Sequence, residues 1–218
     1  MLEHGRLPTL AAAAEACREC RECPLYLHAT QAVFGEGPSH ARLMLVGEQP
    51  GDEEDLQGHP FVGPAGALLD DALAAARISR ADVYVTNAVK HFKFVQQGKR
   101  RLHEKPKARE IAACNPWLLD ELRLVVPRVV VALGATATFA LFGTKASVMR
   151  DRGHLLPLPF RAGAEVIEAV LTIHPSAALR APTSERRREL REMLVADLAL
   201  AARRAHPHAP SSSLGAGP

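Results

Sequence analysis

The sequence predicts an α/β protein in which a parallel sheet lies between layers of helices. Short apolar segments alternate along the chain with segments that have the period of an amphipathic helix. The apolar segments are continuous runs of Val, Leu, Ile and Ala, as in strands that are buried on both faces. Strands and helices that alternate in this way are typical of a parallel sheet covered by helices on both sides.

Each predicted element follows from its periodicity and its flanking residues. The predicted strands are residues 41–47, 82–87, 128–134 and 166–173. The predicted helices are residues 10–16, 63–76, 107–124 (opened by Pro106), a segment ending at Phe142, and 184–204. Because ligands bind beyond the carboxyl ends of parallel strands, the segments that follow three of these strands are expected to converge on one cleft. We expect one domain over residues 1–204 and a disordered tail, rich in Pro, Ser, Gly and Ala, over residues 205–218.

Composition narrows the class of protein further. Of 218 residues, 47% are hydrophobic, which is enough for a sizeable core, and 27 basic against 24 acidic side chains give a net charge of +3. No run approaches the roughly 18 apolar residues of a membrane span, and the first residues lack a signal-peptide pattern. We therefore expect a soluble, cytoplasmic protein with no membrane partner. A polyanion would have to bind a local basic patch, since the overall charge is nearly balanced.

The cysteines indicate a metal site rather than disulfide bonds. Cys17, Cys20 and Cys23 are crowded together, and Cys114 lies far along the chain. Their spacing is similar to part of a ferredoxin-type run, but the rest of that pattern is missing, so another ligand must come from elsewhere. His91, after the second predicted strand, is a candidate, although it could equally be a solvated loop histidine. Spacing alone leaves both zinc and an iron–sulfur cluster open.

A dense run of basic residues occupies positions 99–109 and surrounds one histidine. Lys99, Arg100 and Arg101 open the run. Such a run is often only a solvated loop, but at the carboxyl end of a strand it could also clamp a phosphate backbone. The positive charge around His103 is expected to disfavour its protonated form and to leave a neutral nucleophile or base. A lone loop histidine can also be without a catalytic role, so both interpretations stay open.

Three further segments carry polar or aromatic groups to the expected cleft. Glu48, Gln49 and Asp52 lie in a Gly/Pro-rich turn after the first strand, which matches neither the P-loop nor the dinucleotide pattern. Phe61 lies in a rigid Gly/Pro loop, where it could stack on a base or fill the core. His174 follows the last strand, where its N–H could stabilise negative charge or where it could serve only a turn.

Taken together, four motifs resemble those of the uracil-DNA glycosylase superfamily, especially its iron–sulfur members close to family 4. They are Gly47-Glu-Gln-Pro-Gly51, Gly58-His-Pro-Phe-Val-Gly-Pro-Ala-Gly66, Thr86-Asn-Ala-Val-Lys90 and His174-Pro-Ser176. Within that group, Gln49, His91 and the insert Lys99-Arg-Arg-Leu-His103 resemble the UdgX type. The resemblance extends from about Cys20 to Arg204. It implies a three-layer α/β/α fold around a four-stranded parallel sheet.

The resemblance implies a cofactor as well. The ligands of a [4Fe–4S] cluster would be Cys20, Cys23, His91 and Cys114. The histidine would then replace the third cysteine of family 4, and Cys17 would be a spare thiol.

Roles at the cleft also follow from the resemblance. Phe61 would stack on uracil, and Asn87 would hydrogen-bond to its polar edge. Asp52 would also belong to the uracil-binding site, and His174 would donate a hydrogen bond to uracil O2. Glu48 and Gln49 would line the sugar side, and His103 would become attached to deoxyribose. Contacts to the DNA backbone are implied for Lys99, Arg100 and Arg101.

The chemistry of base excision agrees with these roles. A base must leave the stack before its glycosidic bond can be reached. Bond cleavage places positive charge on the sugar, which Glu48 could stabilise, and negative charge on uracil, which His174 could stabilise. His103 could then capture the sugar cation before water does. We therefore expect a monomeric, single-turnover glycosylase that accepts uracil-containing DNA, including single strands.

Two alternatives remain at this stage. One is a conventional family 4 glycosylase that hydrolyses the bond and turns over, with the basic run serving only to bind DNA. The other is a non-catalytic, metal-bearing module that recognises uracil or abasic sites in DNA without cleaving them.

Overall fold

A computed structural model describes residue 4, residues 7–162 and residues 165–207. Within these ranges the chain forms seven strands, eight α-helices and two short 3-10 turns. The strands are β1 (Leu43–Gly47), β2 (Val83–Asn87), β3 (Phe94–Gln97), β4 (Arg100–His103), β5 (Val129–Leu133), β6 (Leu155–Ala162) and β7 (Glu165–Thr172). The helices are α1 (Leu10–Arg18), α2 (Asp52–Gln57), α3 (Pro64–Ala75), α4 (Ala108–Val125), α5 (Ala135–Phe142), α6 (Val148–Asp151), α7 (Pro175–Leu179) and α8 (Ser184–Ala205).

Five of the strands form one sheet in the order β2-β1-β5-β7-β6. The first four run parallel to one another, and β6 pairs with β7 in the antiparallel direction. The parallel strands are the four that the sequence predicts, with differences of one or two residues at their ends. The α/β class is confirmed, and the predicted four-stranded parallel sheet is extended by one antiparallel edge strand.

Each central strand contributes side chains to two separate cores, because successive residues point to opposite faces of a sheet. On β1, Met44 and Val46 join the core that contains Trp117 of α4. The alternate residues Leu43 and Leu45 join the core that contains Leu194 of α8. The sheet therefore lies between α1, α4 and α5 on one face and α3, α7 and α8 on the other. This is the expected three-layer architecture.

The edge strand β6 has no counterpart in the sequence prediction, and its composition explains why. Pro157 and Pro159 lie inside the segment, and a proline argues against a central strand because it lacks a backbone donor. At the edge of a sheet a proline is tolerated. The pairing of β6 with β7 is also irregular between Pro157 and Arg161, as in a β-bulge.

The first residues of the basic run, which were expected to lie in a loop, belong to a hairpin. Residues 94–103 instead form the antiparallel hairpin β3–β4, with Phe94 paired to His103 and Gln97 paired to Arg100. The turn between the strands begins at Gly98, whose φ of 59° suits the tight turns that join hairpin strands. The hairpin is a separate two-stranded sheet, and it carries His103 at the end of its second strand.

At the carboxyl terminus, α8 continues to Ala205, just past the predicted end of the domain at residue 204. From residue 208 onward, the predicted disordered tail (205–218) lies outside the described residues. Among the helices that the structure describes, none combines the length and the apolar character that a bilayer crossing requires.

The loop between α2 and α3 holds Phe61 in an uncommon backbone conformation. Its φ is 57°, in the left-handed region that a bulky residue rarely adopts. Two contacts fix the loop. Gly63 N–H donates to the buried carboxylate of Glu54 at 2.9 Å, and Gly66 lies so close that a Cβ there would be 1.8 Å from the carbonyl oxygen of Phe61. The loop therefore depends on glycine at position 66.

We expect Gly66→Ala to lower the free energy of unfolding by about 3 kcal/mol, the upper range for an overpacked site, because the new methyl group meets backbone that cannot rotate away. Urea denaturation measures this loss. Gly98→Ala is the matched control, since no atom lies within 4 Å of its added Cβ. That variant should lose only about 1 kcal/mol, from its left-handed backbone. Equal losses in the two variants would contradict the role given to Gly66.

Candidate active site

A cavity of about 1040 Å³ opens at the carboxyl ends of the parallel strands. Each strand end contributes to its wall: Glu48 follows β1, Asn87 ends β2, Gly134 follows β5 and His174 follows β7. The structure thus brings together the segments that were expected to converge. The cavity is large enough for a nucleotide.

The deep part of the cavity presents an aromatic ring and an unpaired amide oxygen. Phe61 and Asn87 are almost fully buried there. Gly47 makes room for both, because a Cβ at this position would lie 2.3 Å from Asn87 Oδ1 and 2.5 Å from Phe61 Cζ. Asn87 Oδ1 has no hydrogen-bond partner among the described residues. A buried acceptor without a donor is costly, so a ligand with an N–H group is the natural partner for this oxygen.

His174 is held as a neutral imidazole with a defined tautomer. The backbone N–H of Ser176 donates to His174 Nδ1 at 3.2 Å, and Ser176 Oγ lies 2.7 Å from the same nitrogen. Nδ1 is therefore an acceptor, and the hydrogen of the neutral ring is on Nε2. Burial lowers the pKa of His174 to about 4, although the Glu48 carboxylate opposes the shift. At neutral pH the ring offers an N–H donor without a positive charge.

Glu48 and His103 meet on the opposite wall. His103 Nε2 lies 3.1 Å from Glu48 Oε1, and Thr136 Oγ1 donates to the other carboxylate oxygen. Burial raises the pKa of Glu48. The hydrogen bonds from His103 and Thr136 and the electrostatic interaction with His103 outweigh this effect, so the net shift of the pKa is downward. Glu48 is therefore an anion at neutral pH.

The side-chain amide of Gln49 forms hydrogen bonds with both ends of the hairpin. Its Nε2 donates to the carbonyl oxygens of Lys93 at 3.0 Å and Glu104 at 3.1 Å, and its Oε1 accepts from the N–H of Lys93 at 3.2 Å. Lys93 and Glu104 flank the hairpin, so Gln49 joins the two ends of β3–β4. Although Gln49 also lines the cavity, its polar atoms hold the segment that carries His103.

Arg101 is a second anchor for the hairpin. Its guanidinium bonds Asp52 at 2.5 Å and the fully buried Asp55 at 2.6 Å, and it lies over the rings of Phe92 and Phe94. The predicted contacts of Asp52 with uracil and of Arg101 with DNA therefore compete with an ion pair that the structure contains. Asp55 was not singled out by the sequence analysis.

Lys99 and Arg100, the other two predicted backbone contacts, lie exposed at the turn of the hairpin. Both side chains are therefore accessible to an anionic group such as a DNA phosphate.

The cysteines lie on the other side of β2, away from the cavity. Cys17, Cys20 and Cys114 are buried, and Cys23 packs against the same core. Trp117 Nε1–H donates to Cys20 Sγ at 3.2 Å, and the backbone N–H of Lys90 donates to Cys114 Sγ at 3.2 Å. Burial raises the pKa of Cys114 to about 12.

His91 is also buried, and burial lowers its pKa. Within the part of the chain that the structure describes, no three His, Cys, Asp or Glu side chains are arranged so that they could hold a metal ion. A four-iron cluster is larger than one ion, and its ligands need not converge on a single point. The thiols suit such a group, because N–H donors to cysteine sulfur are among the interactions that tune iron–sulfur clusters.

Comparison with known proteins gives the family. The uracil DNA glycosylase superfamily model matches residues 34–199. The chain is 40% identical over 186 residues to the type-4 uracil-DNA glycosylase of Thermotoga maritima, covering 85% of this chain and 88% of that protein. It is 37% identical to the type-4 enzyme of Pyrobaculum aerophilum (77% and 83% covered) and 33% identical to that of Saccharolobus solfataricus (78% and 76% covered).

The chain belongs to the uracil-DNA glycosylase superfamily. The four motifs that carry the resemblance, at residues 47–51, 58–66, 86–90 and 174–176, all reach the cavity or the strands that form it. Thr136, which bonds Glu48, was missed by the sequence analysis. It follows Gly134 at the end of β5, so the strand-end argument applied to the other three strands would have found it.

The lowered pKa of His174 predicts how the stability of the protein depends on pH. Its ordinary value is 6.5 and its folded value is about 4. Between these values the unfolded chain binds a proton and the folded chain does not, so stability falls as the pH falls. From about pH 7.5 to about pH 5, wild-type protein should lose about 2 kcal/mol more unfolding free energy than His174→Gln. Urea denaturation at both pH values measures the difference, and identical losses would show that His174 titrates normally.

Proposed function

We propose that this protein is a uracil-DNA glycosylase of the UdgX type, which excises uracil from DNA and becomes attached to deoxyribose C1′ through His103. One observation carries the proposal. The hairpin places His103 on the cavity wall, 3.1 Å from the Glu48 carboxylate. A histidine and a carboxylate in contact at the sugar side are the groups that a covalent capture of the sugar requires.

Recognition of uracil rests on three groups in the deep part of the cavity. The ring of Phe61 would stack on the flipped base. The unpaired Oδ1 of Asn87 would accept a hydrogen bond from N3–H, and Nε2–H of His174 would donate to O2. Cytosine lacks the N3–H group, so the same amide oxygen would discriminate against it.

Cleavage needs charge stabilisation at both ends of the glycosidic bond. As the C1′–N1 bond breaks, its electron pair leaves with uracil, and the developing anion is stabilised by the N–H of His174. The sugar gains positive charge, and the ionised carboxylate of Glu48 lies on its side of the cavity. Glu48 and His174 are therefore suited to opposite ends of the same bond.

Capture follows from the position of His103. The lone pair of one imidazole nitrogen forms a bond to C1′ where the uracil nitrogen was attached. The positive charge that this bond puts on the ring lies beside Glu48, and the proton on the other ring nitrogen can pass to that carboxylate. An alkylated imidazole is a poor leaving group, so the protein stays bound after one turnover.

The covalent step is tested on a denaturing gel with uracil-containing single-stranded DNA. Wild-type protein should give a protein–DNA band that survives heat and SDS, and His103→Ala should give none, because it lacks the nucleophile. His154→Ala is the matched control, since His154 is an exposed histidine outside the cavity, and it should form the band normally. If wild type releases only free abasic DNA, the capture step is wrong.

The second candidate is the conventional hydrolytic reaction, favoured by the type-4 names of the three relatives. It predicts that one protein molecule processes many substrate molecules when DNA is in excess. Under the UdgX proposal, product formation stops at one equivalent. The predictions that the protein is monomeric, cytoplasmic and active on single strands stay predictions.

We also propose a [4Fe–4S] cluster held by Cys20, Cys23, His91 and Cys114. Two observations support it: these side chains are buried or packed against one core, and two of the sulfurs accept N–H hydrogen bonds. The cluster would act as a covalent link between the N-terminal segment and α4. No step of base excision is assigned to it.

Substitution of the cysteines tests the ligand set. Protein purified without oxygen should contain iron and acid-labile sulfide and absorb broadly in the visible region. Cys114→Ser should lose most of the iron, because a serine hydroxyl is a poor replacement for thiolate at an iron–sulfur site. Cys17→Ser, a neighbouring buried cysteine outside the set, should keep it. Zinc alone in the wild-type protein, or loss of iron in Cys17→Ser, would contradict the assignment.

A further inference from the structure

A fully buried ion pair lies behind the residue that faces uracil. The side chains of Lys90 and Glu121 have no exposed area, and Lys90 Nζ lies 2.6 Å from Glu121 Oε2. The ammonium also donates to Thr86 Oγ1 at 2.7 Å and to the carbonyl oxygen of Asn87 at 2.8 Å. A lysine has three N–H donors, and all three are used within the protein.

The carboxylate of Glu121 is satisfied from the other side. It accepts hydrogen bonds from the Gly35 N–H at 2.9 Å, from Tyr84 OH at 3.1 Å and from Thr86 Oγ1 at 2.8 Å. Buried ion pairs of this kind often stabilise a fold no more than apolar residues of similar volume would. The contact with Asn87 suggests another reason for placing charge here.

That contact fixes the peptide group after Asn87 at both of its ends. The carbonyl oxygen of Asn87 accepts from Lys90 Nζ, and the N–H of Ala88 donates to the Gly47 carbonyl at 2.9 Å. Two hydrogen bonds therefore hold the peptide group that follows the Cα of Asn87. Its Oδ1 has no partner within the described protein, so the backbone and the packing against Gly47 decide where the oxygen points.

We propose that Lys90 is a positioning residue for Asn87, holding the peptide plane from which the amide faces the uracil site. The inference rests on the proposed role of Asn87 in reading uracil. Lys90 also donates its backbone N–H to Cys114 Sγ, so the residue that orients Asn87 is attached to the cysteine site. Lys90 is fully buried and does not line the cavity, so it would act through Asn87.

The test removes the ammonium without leaving a buried charge. The double variant Lys90→Met/Glu121→Gln takes away both charges and conserves volume, and Gln keeps an acceptor for Gly35 and Tyr84. The single-turnover rate constant on saturating uracil-containing DNA should fall by about tenfold or more, because small displacements of a reacting group are costly. Affinity for the same DNA without uracil should stay within about twofold, since no DNA contact is altered. This split separates positioning from general loss of structure.

Two single variants serve as a matched pair. Tyr84→Phe and Thr86→Val each remove one hydroxyl that bonds Glu121, but only Thr86 also accepts from Lys90. Tyr84→Phe should keep the wild-type rate, and Thr86→Val should be about threefold slower because the ammonium loses a partner that aims it. If the double variant does not fold, this pair decides the question. Equal rates for the pair, or a folded double variant at the wild-type rate, overturn the proposal.

Asn87→Ala distinguishes this inference from the function on which it rests. A wild-type rate in Asn87→Ala would overturn both the proposed reading of uracil and the role of Lys90. A slow Asn87→Ala beside a double variant at the wild-type rate would overturn only the role of Lys90.

Discussion

The hydrogen bonds between the Gln49 amide and the backbone of Lys93 and Glu104 determine where His103 can be. A two-stranded hairpin is marginally stable by itself and needs support from the rest of the protein. Gln49 closes its base, and Arg101 ties its second strand to α2. Glu48, next to Gln49, bonds the imidazole directly. One short segment after β1 thus fixes both members of the histidine–carboxylate pair.

The two walls of the cavity that carry His174 and Glu48 differ in their electrostatic environment. At the wall formed by His174, burial keeps the imidazole neutral, with its N–H on Nε2. At the wall formed by Glu48, hydrogen bonds keep the carboxylate ionised although it is partly buried. Both groups are held in place in the free protein, so the proposed reaction would need little reorganisation as charge develops. Rigid strand ends make this possible, because each group is attached within a residue or two of a buried strand.

The sequence predicted what depends on local pattern and missed what depends on distant partners. The four parallel strands are continuous apolar runs, and they were found with small end errors. Strand β6 was missed because its prolines are permitted only by its edge position. Arg101 illustrates the limit at the site. A guanidinium suits a phosphate or a carboxylate equally well, and only the fold brings Asp52 and Asp55 to it. Lys90 and Glu121, far apart in the chain, offered no local signal of their pairing.

The crowded packing around Phe61 has a consequence for attempts to alter the base that is excised. A side chain at position 47 would collide with the ring of Phe61, and one at position 66 would collide with its carbonyl oxygen, so neither glycine can be replaced alone. A library that varies the aromatic ring while keeping both glycines would sample new shapes in a loop that still closes. Directed evolution of the proposed contact between Phe61 and the base should therefore keep Gly47 and Gly66 unchanged.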